Sequence, residues 1–212
     1  MTVRDLAAPV IAVLVLGTGA QGAWDVGGSF GTLSTGEAIG RGEVSVFTGL
    51  SHGDALTAFG GLRYGIADNL DGRLKIGLRD EGGTDAELVA GIDLMYQGLR
   101  RDTYGGDPID LGFGGMAELW NSEAYDIWQL GGFAVGSYPY RLGNQMILTP
   151  YARLNVRTER ISPEGDAAVT RELELGFNGG GRLDVTRSFS VYGEFQIDGN
   201  DGVFIGAEFF LR

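Results

Sequence analysis

Three residue types that can carry out hydrolysis lie close together at Ser51, His52 and Asp54. They could act as nucleophile, base and orienting acid. His52 is the single histidine of the chain, so any imidazole chemistry depends on it. A catalytic set of this kind normally draws on separate elements, and neighbours on one tight turn cannot easily form it. The spacing therefore favours a solvent-exposed loop histidine over a catalytic one.

The segment Asp198-Gly199-Asn200-Asp201-Gly202 has the oxygen ligands of a calcium loop. The twelfth position of such a loop must supply a bidentate carboxylate, and here it is Phe209. A hairpin turn explains the same residues. The chain has no cysteine, which excludes thiolate metal sites, and it has no phosphate-binding loop, zinc spacing or dinucleotide fingerprint. We expect no metal and no cofactor.

Most other reactive residues are charged, and they recur at alternate positions of apolar runs. From Glu172 to Val185, one parity holds leucine, phenylalanine, glycine and valine, and the other holds the charged residues. Successive side chains of a β-strand point to opposite faces, so this run has one apolar and one polar face. A helix would scatter Glu172 and Glu174 around its circumference.

The same alternation predicts ten antiparallel strands. They lie near residues 42–50, 55–65, 72–80, 85–99, 108–120, 125–138, 146–158, 169–185, 188–198 and 202–211. Many of these reach the 9 to 11 residues, roughly, that a tilted strand needs to cross a bilayer, whereas no window has the ~18 apolar residues of a spanning helix. The prediction is an all-β fold, a closed antiparallel up-and-down transmembrane barrel of about ten strands, with eight or twelve as alternatives.

Turns and aromatic residues support membrane insertion. Ala67–Asp71 and Thr186–Ser188 are typical of tight periplasmic turns, and the even number of strands between them puts both on one side. Aromatic side chains collect at membrane interfaces. Two girdles are predicted: Tyr64, Tyr96, Tyr138, Phe189 and Phe209 at the periplasmic ends, and Trp120, Tyr125 and Trp128 near the opposite rim.

The charged parity would face the lumen of this barrel. The predicted lumen residues are Arg63, Arg73, Lys75, Arg79, Arg153, Arg157 and Arg182 against Glu43, Glu87, Asp93, Asp110, Glu118, Glu172, Glu174, Asp184, Glu194 and Glu208. Because buried charges must be paired or hydrated, one interpretation is a lumen filled by an ion-pair network. The other is a narrow aqueous channel whose opposed charges select small polar solutes. The number of strands does not decide between them.

The first residues read as a secretory signal. Arg4 precedes an apolar stretch from Leu6 to Leu16, and Ala20 and Gly22 offer a cleavage site. The predicted organisation is a signal peptide over residues 1–22, an N-terminal extension or short strand over 23–41, and the barrel over 42–212. The part from Trp24 to Gly31 could be an eleventh strand, an extension or a plug.

The acidic composition of the chain excludes nucleic acid as a partner. The formal charge of −12 and a pI of about 4.4 repel phosphate backbones, so we expect no nucleic acid partner.

The 38 glycines lie inside strand-like runs. Glycine in strands marks close backbone approach, bends or barrel corners.

The run from Tyr64 to Gly72, the turn from Val185 to Gly193 and the ending on a strand resemble Gram-negative outer-membrane β-barrel proteins of the porin-like superfamily. The resemblance implies outer-membrane lipid and lipopolysaccharide as surroundings and the barrel-assembly machinery as a partner. In that family the last strand carries an assembly signal, which Gly206 and Phe209 match and from which Leu211 and Arg212 depart.

The expected function is a minor porin-like channel or a structural barrel without enzymatic activity. Outer-membrane proteases and lipid deacylases resemble the chain in architecture and place a histidine near the rim, so a hydrolase that uses His52 is one alternative. A soluble periplasmic barrel that binds a small ligand is another. It would need a polar exterior.

Overall fold

The computed structural model describes residues 30, 32–53, 55–80, 86–101, 109–121, 125–143, 146–163, 169–197 and 201–211. These residues form eleven strands, and no helix among them is long and apolar enough to cross a membrane. The strands are β1 Val44–His52, β2 Leu56–Ala67, β3 Leu70–Asp80, β4 Glu87–Leu99, β5 Asp110–Asn121, β6 Tyr125–Ser137, β7 Tyr140–Arg141, β8 Ile147–Pro163, β9 Thr170–Thr186, β10 Phe189–Ile197 and β11 Gly202–Leu211.

Ten of these strands form a closed barrel. Each strand from β1 to β6 and from β8 to β11 pairs antiparallel with its neighbour in sequence, and β6 pairs with β8. The barrel closes between the first and last strands, where Val44 lies opposite Leu211. The two-residue strand β7 adds to the edge of β8 only. The predicted closed antiparallel barrel of ten strands is confirmed.

The two ends of the barrel differ. The two-residue turns Asp68–Asn69 and Arg187–Ser188 lie at one end, which we call the turn end, and the opposite end is the rim end. The strands β8 and β9 are 17 residues long, whereas β10 has 9. Because Ile197 at the end of β10 pairs with Phe177, β9 continues seven residues beyond the last paired position toward the rim end.

Apolar side chains face outward along every long strand. On β3, Leu74 and Ile76 are 59% and 57% exposed. Arg73, which precedes Leu74, is 5% exposed, and Lys75, which lies between the two apolar residues, is 3% exposed. On β9, Leu173 and Leu175 are exposed, and Glu194 on β10 is buried. Water does not stabilise a continuous apolar exterior of this size around a polar interior, but hydrocarbon does. The fold is therefore that of a transmembrane barrel.

Glycines make room for aromatic rings inside the barrel. Phe47 on β1 lies opposite Gly61 on β2, and Phe59 on β2 lies opposite Gly49 on β1. A Cβ atom on Gly61 would lie 2.7 Å from the ring of Phe47, and one on Gly49 would lie 2.6 Å from the ring of Phe59. Each ring thus covers the backbone of the neighbouring strand. This close approach accounts for part of the glycine content.

The aromatic girdles are only partly as predicted. At the turn end, Tyr64, Tyr96 and Phe209 are each about half-exposed on the outer surface. At the rim end, Trp128 faces outward, but Trp120 is fully buried and Tyr125 packs against the interior cluster. The prediction is wrong for these two residues. Trp120 follows Glu118 by two positions and therefore points the same way, into the barrel.

The two tryptophans near the rim should respond differently to lipid quenchers. In vesicles whose acyl chains carry bromine, Trp128 contacts lipid and should be quenched, whereas Trp120 is shielded inside. We expect Trp128→Phe to lose most of the quenchable fluorescence and Trp120→Phe to keep it. Trp24, which lies outside the described residues, is present in both variants and does not affect their comparison. Equal quenching of the two variants would contradict the assigned faces.

Candidate functional site in the lumen

Almost all the predicted lumen residues point inward and are buried. The buried ones are Arg63, Arg73, Lys75, Arg79, Glu87, Asp93, Asp110, Glu118, Arg153, Arg157, Arg182, Glu194 and Glu208. Glu174 and Asp184 are partly buried. Glu172 is exposed because it lies on the part of β9 that extends beyond β10, and Glu43 is exposed because it precedes β1. For those two residues the lumen prediction is wrong.

Near the turn end, Arg63 on β2 joins two other strands. Its guanidinium lies 2.6 Å from the carboxylate of Asp71 on β3 and 3.7 Å from that of Glu208 on β11. Glu208 also accepts hydrogen bonds from the hydroxyls of Ser45, at 2.5 Å, and Tyr192. Each charge therefore has a partner of opposite sign on another strand, as burial requires.

Halfway along the lumen, Lys75 on β3 joins two more strands. Its ammonium group lies 3.1 Å from Asp93 on β4 and 2.8 Å from Glu118 on β5. All three side chains are nearly fully buried. The triad crosses the lumen wall perpendicular to the strands and is shielded from bulk water, so its attraction is stronger than that of a surface pair.

Two arginines in the same region use other partners. Arg153 lies over the ring of Phe133, with its guanidinium carbon 3.7 Å from the ring centroid, and donates to the sulfur of Met116. Within the described part of the chain, no carboxylate forms an ion pair with it. Arg73 donates to the carbonyls of Thr32 and Leu33 at 2.8 and 2.9 Å.

The carbonyls that Arg73 contacts belong to a segment that lies inside the barrel. We call residues 32–40 the inner segment; it has no helix or strand and precedes β1. Most of its side chains are buried, although Glu37 is exposed. It enters at the turn end, where Gly42 donates to the carbonyl of Gly65 at 2.8 Å, and Phe30 before it packs edge-on to Phe59 at 5.4 Å. The segment therefore occupies the half of the lumen next to the turn end, which we call the lower lumen; the half next to the rim end is the upper lumen.

Glu194 on β10 is the main attachment point of the inner segment. Its carboxylate accepts the N–H groups of Thr32 and Leu33, each at 2.8 Å, and the hydroxyl of Thr32 at 2.7 Å. The hydroxyl of Tyr151 at 2.6 Å and the amide of Asn178 at 2.9 Å also donate to it. Five donors compensate for the burial of one carboxylate.

Above the inner segment the lumen holds an apolar cluster together with buried polar side chains such as Arg79, Gln129 and Glu159. The interior cluster there includes Phe30, Phe59, Val89, Trp120, Ile127 and Phe204. The guanidinium of Arg79 lies 5.4 Å from the ring centroid of Trp120. Closer to the rim, Gln129 donates to Glu159, and Arg157 forms an ion pair with Glu174. The upper lumen is thus packed with side chains.

The turn end carries a cavity of about 600 Å³. Part of its wall is the inner segment itself, from Glu37 to Gly40. Arg182, also in the wall, lies 2.8 Å from the carboxylate of Glu37 and 2.9 Å from that of Asp184. The cavity therefore opens the lumen only as far as the inner segment.

The hydrolytic trio is not assembled by the residues that the structure describes. Ser51 is buried and His52 is exposed, since they are consecutive on β1 and point to opposite faces. Asp54 and Asp198–Asn200 lie outside the described residues. Among the described residues, no group of three histidine, cysteine or acidic side chains is placed to hold a metal ion.

Sequence reasoning missed the contribution of the inner segment to the site. The sequence predicts an extension or short strand over residues 23–41, and an extra strand, an extension or a plug over Trp24–Gly31. In the structure residues 32–40 are not a strand but fill the lumen, and residues 24–29 and 31 lie outside the described residues. The available signal was Glu194, an acidic residue predicted to be buried without a basic neighbour opposite it on β9 or β11.

No family model and no curated protein matches the chain. Similar solved structures include the KdgM porin, at 9% identity and a TM-score of 0.42, covering 79% of this chain and 99% of that one. The N-terminal β-barrel domain of OprF from Pseudomonas aeruginosa matches at 11% identity and 0.39, covering 82% and 100%. An outer-membrane channel from Pseudomonas putida F1 matches at 13% and 0.40, covering 82% and 97%. These similar structures are outer-membrane β-barrels, the class that the sequence resembles.

Proposed function

We propose that the protein is a non-enzymatic barrel of the Gram-negative outer membrane whose lumen is closed by its own inner segment. Its main role is then structural, with little or no conductance. The supporting observation is the inner segment itself, which crosses the lower lumen and is bonded to the wall at Glu194, Arg73 and Arg63. A solute that crosses the barrel would have to pass the segment at these contacts.

The outer surface of the barrel supports the proposed location in the outer membrane. Outward leucines, isoleucines and valines cover the strands, and tyrosines and Phe209 lie near the turn end. Such a surface needs lipid, and closed barrels that span membranes in this way belong to outer membranes. The leader predicted over residues 1–22 would supply export. The proposed surroundings are outer-membrane lipid and lipopolysaccharide, reached through the barrel-assembly machinery.

A porin-like channel for small polar solutes is the second candidate. It is favoured by the basic and acidic side chains that face each other behind the inner segment, such as Lys75 and Glu118. Conduction would require the inner segment to leave the lower lumen. The two candidates therefore differ in whether the segment stays in place.

Fractionation and conductance test this proposal together. We expect the protein to partition with outer membranes, to resist extraction by urea, and to migrate differently on gels when heated. In planar bilayers the native chain should show few or no conductance steps. A chain that is recovered from the soluble periplasmic fraction would contradict the proposal, and large steady conductance would favour the channel.

Loosening the inner segment should increase conductance. A Cβ atom at Gly36 would lie 2.7 Å from the carbonyl oxygen of Asp110 and 2.9 Å from that of Val135, and neither backbone can easily move. We therefore expect Gly36→Val to displace the segment and to raise the frequency of conductance steps. Ser34→Ala is the matched control, because the Ser34 hydroxyl bonds only to the carbonyl of Thr35 and the sulfur of Met95 in the described part of the chain.

A further inference from the structure

The wall of the lumen contacts the inner segment mainly through the segment's main chain. Five N–H groups and three carbonyls of the segment are bonded to side chains of β2, β3, β4, β6 and β10. The N–H donors are Thr32 and Leu33 to Glu194, Gly36 to Ser137, Ala38 to Gln97 and Ile39 to Asp71, and the carbonyl acceptors are Thr32 and Leu33 from Arg73 and Glu37 from Arg63.

This arrangement is that of a peptide-binding site. A peptide outside helices and sheets has one unpaired N–H and one unpaired carbonyl per residue, and it binds tightly where a protein offers partners for them. Sheet edges usually provide such partners, but here the partners are buried side chains that project from separate strands. Contacts of this kind do not depend on most of the peptide's own side chains.

We propose that the lower lumen is a binding site for a peptide in an irregular conformation, that residues 32–40 are its tethered occupant, and that a peptide of the same pattern can occupy the site without the tether. This inference goes beyond the proposed function, which requires only that the segment blocks the lumen.

Three positions contribute strongly to the selectivity of the site. Position 36 must be glycine, because a Cβ there would lie within 3 Å of two backbone carbonyls of β5 and β6. Four residues earlier, the hydroxyl of Thr32 donates to Glu194 at 2.7 Å. One residue after the glycine, the carboxylate of Glu37 meets Arg182 at 2.8 Å. The preferred ligand is therefore a peptide with a hydroxyl residue, a glycine and an acid at these spacings.

The way into the site is at the turn end. Arg41 and Gly42, which connect the inner segment to β1, are exposed, and Gly42 has a φ of +78° in a turn. The cavity of about 600 Å³ borders the segment at Glu37 to Gly40 on this side. A cut in the turn would therefore remove the tether without touching any strand of the barrel.

The test uses the full chain, folded first and cut afterwards. A protease recognition sequence is inserted between Arg41 and Gly42, the protein is folded in detergent, and the turn is cut. The nicked protein is washed in urea, and mass spectrometry shows whether the N-terminal fragment has left. A synthetic peptide of residues 30–41, with a fluorophore after Arg41 where the chain is exposed, is then added, and binding is followed by fluorescence anisotropy.

We expect the fragment to leave and the labelled peptide to bind saturably and to be displaced by unlabelled peptide. The Gly36→Val peptide should bind about tenfold or more weakly, which corresponds to about 1.4 kcal/mol, and the Ser34→Ala peptide should bind like the native one. Glu194→Gln in the barrel should weaken binding of the native peptide as well. If that variant does not fold, the peptide variants decide alone.

Three results would overturn the inference. In the first, the nicked fragment cannot be washed out while the barrel stays folded, so that it is a permanent part of the core. In the second, the fragment leaves but the peptide does not bind. In the third, a scrambled peptide binds as well as the native one. None of these results changes the fractionation or the low conductance of the uncut protein, so the proposed function is tested separately.

Discussion

Replacing Ile92 by arginine is expected to lower the free energy of unfolding in lipid by about 2–4 kcal/mol. Ile92 lies in the middle of β4, is 55% exposed on the outer surface and pairs with Leu74 and Ala117 on the neighbouring strands. At this depth a guanidinium would have to stay in hydrocarbon or distort the bilayer. Urea titration of the protein folded in vesicles, followed by tryptophan fluorescence, measures the effect.

Two control variants distinguish the effect of membrane depth from general damage to the strand. Ile66→Arg places the same charge on the outer face one residue before the end of β2, near the interface, and should cost about 0–1 kcal/mol. Ile92→Leu keeps an apolar side chain and should cost less than about 1.5 kcal/mol. If Ile92→Arg and Ile66→Arg were equally mild, the outer surface would not face lipid. A protein that folds in water without detergent would have the same consequence.

Replacing Glu194 by alanine is expected to cost about 3 kcal/mol or more. The substitution leaves the N–H groups of Thr32 and Leu33, the hydroxyl of Tyr151 and the amide of Asn178 without this acceptor in a closed interior. Each buried polar group that loses its partner costs about 1–3 kcal/mol, and such costs are not fully additive. The midpoint of urea unfolding at unchanged slope measures the loss.

Glu172→Ala is the matched control for this prediction. Glu172 is also an acidic residue of the inward parity, but it is exposed beyond the end of β10, so its removal should change stability by about 0.5 kcal/mol or less. Equal effects of the two substitutions would show that Glu194 does not hold the inner segment. Weaker protection of residues 32–40 from proteolysis in Glu194→Ala, with intact strands, would support the assigned contacts.

The barrel could be predicted from sequence because the alternation of apolar and polar side chains along each strand is a local property. On β3, Arg73, Lys75 and Arg79 alternate with leucines and isoleucine, and a strand of period two sends the two sets to opposite faces. The same rule gives the direction of Trp120, because Trp120 lies two positions after the inward-facing Glu118 and must point to the same face. The error at Trp120 arose because β5 has glycines and Ala117 on both parities, which hides the alternation.

The inner segment could not be predicted because its bonds are not local. Eight of its main-chain groups find partners between 26 and 162 residues away, on five strands whose relative positions exist only in the closed barrel. Thr32, Leu33 and Ser34 show no alternation that would mark a face. The error at Glu172 has a similar origin. Its side chain has the inward parity, but β10 ends before it reaches Glu172, so this part of β9 lies beyond the closed lumen. The length of β10 cannot be read from the residues of β9.

The enclosure of the lumen charges has a consequence for the protein's response to ionic strength. The Debye length of bulk electrolyte is about 8 Å at physiological salt, and dissolved ions weaken attractions between groups that they can approach. Arg63, Asp71 and Glu208 are almost completely enclosed, as are Lys75 and its two carboxylates. Added salt cannot reach these groups, so the attraction between them stays nearly constant from dilute to concentrated media.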